Sequence, residues 1–168
     1  MKDLGKTKFC LALQLEHTHE GILVHQFAYT KKVLEKFHHE NAQPERTPMM
    51  GRSLDVEKDP FRPKEQGEEI LGSGYPYLSA ISVLMYLANG TRPDIAFAVN
   101  LLARFSSAPT KRHWSGVKRI LRYLRGTIDL RLYFRKKQDL SIIGYTQDIC
   151  LILITDYHRL GMYFLVVE

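Results

Sequence analysis

The chain has 168 residues, 45% hydrophobic and 25% charged, the values of an ordinary globular chain able to bury a core. Cys10 and Cys150 are its two cysteines, which excludes a disulfide-dense scaffold and a clustered zinc site, and no apolar run reaches the roughly 18 residues of a membrane span. The net charge of +6 is uneven: Lys111 to Lys137 carry ten Lys/Arg against Asp129 alone, which leaves the remainder acidic by three charges. Such a block points to a polyanionic partner or to a solvated face.

The opening "MKDLGKTKF" has charge where a signal peptide needs an apolar stretch, so an intracellular compartment, cytoplasmic or nuclear, is expected. "KFCLALQLE" (Lys8 to Glu16) alternates Phe9, Leu11, Leu13 and Leu15 on one face. With "HTHEG" and "ILVHQF" behind it, it predicts a β-hairpin that uses Gly21 in its turn. From Tyr29 the period lengthens. Val33, Leu34 and Phe37 stand three and four apart, which predicts an amphipathic helix ending near His39. Asn41 to Pro76 holds five of the seven prolines and no periodicity, and reads as a long exposed connector.

Three helices are predicted next. "YLSAISVLMYLAN" (Tyr77 to Asn89) is apolar almost all round and should be central, with Gly90 as its C-cap. "RPDIAFAVNLLARFS" has Pro93 in its first turn and Asp94 near the positive end of the helix dipole. "TKRHWSGVKRILRYLRG" has Thr110 as N-cap and Gly126 as its stop, with Trp114, Val117, Leu121 and Leu124 as the buried stripe. After it, "LRLYF" and "LSIIGY" around "RKKQD" predict a second hairpin, and the apolar tail from Gln147 shows neither period nor turn chemistry.

The chemistry-bearing candidates lie on the third helix. Lys118, Arg122 and Arg125 are three and four apart, with Lys111, Arg112 and Arg119 close by, and such a row can neutralise successive phosphates. A guanidinium fork suits phosphate oxygens, and Tyr123 can stack on a base or belong to the core. The alternative is the solvated face of an amphipathic helix. His17, His19, His25, His38 and His39 have no ligand spacing and read as turn or surface residues, so no metal site is expected. No Asp-Asp dipeptide, Walker loop, nucleophile elbow or dinucleotide fingerprint occurs. The tetrads "RILR" and "RYLR" match the Arg-x-Leu-Arg signal of secreted oomycete effectors, but inside a helix whose leucines are needed for packing.

The block "YLSAISVLMYLANGTRPDIAFAVNLLARFSSAPTKRHWSGVKRILRYLRGT", with "MKDLGKTKFCLALQLE" ahead of it, resembles the Pol polyprotein of copia-type LTR retrotransposons from Met1 to about Thr146. The resemblance implies a palm-to-thumb junction for the first hairpin and helix, a thumb or connection region for the three helices, and the first strand of an RNase H domain at "LSIIGY". In that family the catalytic Tyr-x-Asp-Asp hairpin lies upstream of this segment, and the parent enzyme needs Mg. The tail departs from the family, which continues with an acidic pair and a "GYLSDPH"-like run. Written from Gln147 with permitted codons (CAG GAT ATT TGT CTG ATC CTC ATA) and read two bases on, the tail spells Gly-Tyr-Leu-Ser-Asp-Pro-His, so an out-of-frame tail is expected.

The expected fold is α+β: hairpin and helix (1–40), flexible connector (41–76), three-helix unit (77–126), the start of an RNase H-like sheet (127–146) and an out-of-frame tail (147–168). The expected function is that of a degenerate reverse transcriptase–RNase H fragment without catalytic carboxylates or cofactor, with an RNA or DNA duplex as possible partner and no small-molecule substrate. The alternative is an effector-like or protein-interaction module built on the Arg-x-Leu-Arg helix.

Overall fold

The computed structural model describes residues 5–49, 62–72 and 74–136, and the backbone of Ile143–Gly144 and Leu165–Val166. Among these residues the fold is α+β: four α-helices pack together, and an antiparallel sheet in the order β1-β2-β3-β4 stands beside them.

The first apolar run is two strands, where the alternation predicts one. β1 (Phe9–Cys10) turns back into β2 (Leu13–His17), with Cys10 opposite Leu13. Leu11 and Ala12 between them both have positive φ, 47° and 60°, as a two-residue hairpin turn of the twist-matching kind requires. Neither residue is the glycine or asparagine that normally announces such a turn, so the alternation runs through it unbroken.

β2 then pairs with β3 (Gly21–His25), as the sequence predicts. Thr18 clamps the intervening turn: its hydroxyl donates to the Gly21 carbonyl at 2.9 Å and accepts the Gly21 N–H at 3.0 Å. Gly21 is not needed for an unusual φ. It is buried where β4 (Leu132–Arg135) crosses, and a Cβ there would meet the Arg135 Cα at 3.1 Å. β4 pairs with β3, Gly21 opposite Arg135 and Val24 opposite Leu132. This corrects the expected second hairpin with "LSIIGY". A strand pattern shows that a segment seeks an edge, and here the open edge of β3 supplies it. Within "LSIIGY", Ile143–Gly144 (β5) pairs instead with Leu165–Val166 (β6). The remainder of that run and of the tail lies outside the described residues.

α1 (Phe27–Lys36) forms on the predicted period and buries Val33 and Leu34, with Phe37 just beyond. It ends in a Schellman arrangement: the His39 N–H reaches the Leu34 carbonyl at 2.8 Å and the His38 N–H the Glu35 carbonyl at 3.1 Å. His38 takes the left-handed position usually given to glycine, at φ 57°.

α2 (Tyr77–Gly90) is central, as its all-round apolarity predicts; Ala80, Ile81, Leu84 and Leu87 are buried. Gly90 is not a left-handed cap but the last helical residue, and the Gln26 side-chain amide occupies the space its missing Cβ leaves. A 3-10 turn (Pro93–Ile95) leads into α3 (Ala96–Ala103), with Pro93 in the first turn as expected. Ile95, Val99 and Leu102 complete the core against α4 (Lys111–Gly126).

Candidate nucleic-acid interface

α4 owes its start to Thr110, which caps it, and to a residue the sequence reading missed. His113 occupies the position where a capping box normally has Glu or Gln, and its Nδ1 accepts the Thr110 backbone N–H at 3.1 Å. Nε2 contacts the Arg62 carbonyl at 3.1 Å, and the imidazole stacks flat on Phe105 at 4.1 Å. Burial holds its pKa below the usual 6.5, against the raising effect of the Arg62 contact. The pattern Thr-x-x-His carries the signal, once histidine is admitted as an acceptor.

The buried stripe is His113, Val117, Ile120, Leu121 and Leu124. Trp114 is only half-buried, because it turns aside to pack edge-on against Tyr75 at 5.8 Å. Leu121 and Leu124, the leucines of the overlapping Arg-x-Leu-Arg tetrads, are 0% exposed. Gly126 lies where Pro44 crosses the helix end, since a Cβ would stand 2.9 Å from Pro44 Cβ.

All six predicted cations are on α4, but they do not form an open row. Arg119 meets Glu45 at 3.2 Å, and Arg122 meets the other oxygen of the same carboxylate at 3.6 Å. Arg119 also donates to the Thr47 hydroxyl at 3.2 Å, and the Arg125 Nε to the Glu40 carbonyl at 2.6 Å. Arg112 pairs with Glu68 at 2.9 Å, and Lys111 stands 3.7 Å from Glu69. Lys118 has neither hydrogen bond nor ion pair among the described residues. Desolvation raises the Glu68 carboxyl, but its hydrogen bond to the Glu65 backbone and the Arg112 charge bring it below its ordinary value.

The connector, mostly exposed in its described parts as the sequence reading expects, also runs along α4. Residues 40–49 cover the C-terminal half, where the Glu45 N–H also donates to the Arg122 carbonyl at 3.3 Å. Residues 62–72 cover the N-terminal end, where Ile70 bridges Thr110 and the Leu71 N–H reaches the Pro109 carbonyl at 2.7 Å. Nothing in the connector's composition announces this, because the contacts join positions tens of residues apart.

Two further residues bear on the sequence reading. Of the two places it leaves open for Tyr123, the core is the one the contacts favour: the ring is half-buried against the buried cluster. Its hydroxyl donates to Asp94 at 2.8 Å, and the Arg92 guanidinium lies 5.5 Å over its ring. Arg92, 3% exposed, forks onto both Asp94 oxygens at 3.0 and 2.8 Å and donates to the Thr127 carbonyl at 3.0 Å, tying the start of α3 to the end of α4. His25 is buried and pairs with Glu16 at 3.0 Å, where the sequence reading had a turn or surface histidine.

Among the described residues no three His, Cys, Asp or Glu side chains lie close enough to hold a metal ion, and no helix is long and apolar enough to cross a membrane.

No protein-family model matches the chain, and no solved structure does. Curated relatives do. The chain is 41% identical over 149 residues to the Retrovirus-related Pol polyprotein from transposon TNT 1-94 of Nicotiana tabacum, covering 87% of this chain and 11% of that protein. It is 32% identical over 146 residues to the Retrovirus-related Pol polyprotein from transposon RE2 of Arabidopsis thaliana, 87% of this chain and 9% of that one. A shorter match, 45% over 71 residues, is to the Secreted RxLR effector protein 161 of Plasmopara viticola, 42% of this chain and half of that protein. The chain thus spans half or less of each of these relatives. Two Pol polyproteins from different plants share nearly nine-tenths of its length, and on that ground the chain belongs to the retrotransposon Pol polyprotein family.

Proposed function

We propose that this chain is a thumb-like, non-catalytic segment of a reverse transcriptase–RNase H polyprotein whose remaining activity is sequence-independent binding of a nucleic-acid duplex through α4. The observation that carries the reading is the set of six cations from Lys111 to Arg125 on the face of α4 opposite its buried stripe, five of which also have partners within the chain. At about 1.5 Å rise per residue that set spans about 21 Å, roughly six phosphate steps of one strand. Polymerisation in the Pol family holds its metal pair on a Tyr-x-Asp-Asp hairpin, and this sequence has no Asp-Asp dipeptide.

In this reading residues 1–40, with β4 completing their sheet, form the palm-to-thumb junction, residues 77–126 the thumb or connection unit, and "LSIIGY" the first strand of an RNase H-like sheet. The tail from Gln147 is out-of-frame translation. The Pol relatives match 87% of the chain, which leaves room for a tail of this length outside the match. Sequencing the locus checks it, and an in-frame match to the tail in a related element would overturn it.

The test of binding is the salt dependence of affinity for a primer–template duplex. Replacing Lys118, Arg119, Arg122 and Arg125 by Gln lowers the slope of log K against log salt, by up to about 0.9 for each phosphate that is no longer neutralised. An unchanged slope returns these side chains to a merely solvated face.

The effector match favours a second reading, a protein-interaction module. The burial of Leu121 and Leu124 weighs against it, because a recognition tetrad has to be accessible. A specific protein partner with salt-insensitive affinity would support it.

A further inference from the structure

We propose that the connector is a built-in competitor for α4: its glutamates occupy the guanidiniums that a phosphate backbone would need, and a duplex binds by displacing them. The proposal rests on the duplex-binding reading above and adds its regulation. The described connector runs antiparallel to α4, from Glu40 at Arg125, through Glu45 at Arg122 and Arg119, to Glu68 at Arg112. Three of the four α4 arginines are thereby charge-paired within the chain.

The pairing is of a kind that a phosphate can replace. Glu45 divides one carboxylate between two guanidiniums, one oxygen to each, at 3.2 and 3.6 Å, so neither arginine is held by a fork. The Nε–H groups of Arg112, Arg119 and Arg122 are buried and find no acceptor among the described residues. With the connector displaced, a phosphate in the plane of one guanidinium could take two donors where Glu45 takes one. The Arg119 and Arg122 side chains are 22% and 37% exposed, so the pairs are partly screened by solvent and individually weak. By contrast, Arg92 is forked onto Asp94 and 3% exposed, an arrangement built to stay closed.

Removing the competing carboxylates should therefore strengthen binding. The test compares the full chain with Glu45→Gln/Glu68→Gln and with Glu65→Gln, which removes charge from the same connector but from a glutamate that pairs with Arg62 and, among the described residues, forms no ion pair with an α4 arginine. Affinity for a labelled RNA–DNA duplex is measured between about 50 and 200 mM salt. The double variant should bind roughly five- to tenfold tighter at low salt, with a steeper salt slope, and Glu65→Gln should stay within about twofold of the parent. Amide hydrogen exchange on the unaltered chain gives a readout that needs no variant: the duplex should speed exchange at the Glu45 N–H, now bonded to Arg122.

If parent and double variant bind alike with a normal salt slope, and exchange at residues 41–49 stays as slow with duplex as without, competition is refuted and the duplex-binding reading stands. If none of the three proteins binds duplex, that reading falls and the competition with it.

Discussion

Asp94→Asn isolates the tie between α3 and α4. The substitution keeps the side chain's shape and removes its charge, and so leaves Arg92, 3% exposed, without a counter-ion. Breaking a fully buried pair by removing one partner costs about 3–5 kcal/mol. Asp94 is 30% exposed, and water reaching it lowers the expected loss to about 2–3 kcal/mol. For a chain of this size that is a fall in Tm of roughly 5–10 °C. Thermal unfolding followed by circular dichroism, with urea titration beside it, measures both quantities. Tyr123→Phe deletes only the hydroxyl that donates to Asp94, and should cost about 1 kcal/mol. Desolvation raises the Asp94 pKa, but its bonds to Arg92 and Tyr123 bring it below 3.8. The stabilisation is therefore present above 3.8 and is lost as pH falls through the lower, folded value. A loss under about 1 kcal/mol for Asp94→Asn would refute the assignment of Arg92 as an electrostatic tie.

His38→Gly should raise stability by up to about 1 kcal/mol in urea titration, because glycine holds the left-handed end of α1 without the steric penalty histidine bears. His113 is buried with a pKa below 6.5, so the unfolded chain takes up its proton first, and stability should decline as pH drops from 6.5 towards the folded value. His113→Gln, which keeps a capping acceptor at that position, should remove that part of the pH dependence in melts followed across this range. The pure chain, given primer–template and Mg, should incorporate no nucleotide above a no-protein control; incorporation would overturn the non-catalytic reading.

Much of the helical part was legible because a local period decides it. Val33, Leu34 and Phe37, the start at Pro93 and the cap at Thr110 all follow from spacing and side-chain chemistry within a few residues. The sheet was legible only in its central pair. The turn at Leu11 and Ala12 is made by residues with no turn propensity, and β4 finds β3 across more than a hundred residues, a partner that no local pattern names. The cations of α4 were found by composition, but their state was not. Glu45 and Glu68 lie far upstream in a segment without periodicity, and only the folded chain shows that they reach Arg112, Arg119 and Arg122. Arg92 escaped notice for a related reason: one buried arginine in an apolar helix start resembles any other charged residue until Asp94, Tyr123 and Thr127 converge on it.

The most direct test of the account is where a duplex touches the chain. Photo-crosslinking of a halogen-substituted primer–template to the intact protein, followed by peptide mapping, locates the contact without any substitution. The account predicts adducts concentrated in peptides spanning Lys111 to Arg125. Adducts confined to the sheet rim, where Lys6, His17, Arg135 and Lys136 line an open cleft, would contradict it, as would a protein that acquires none.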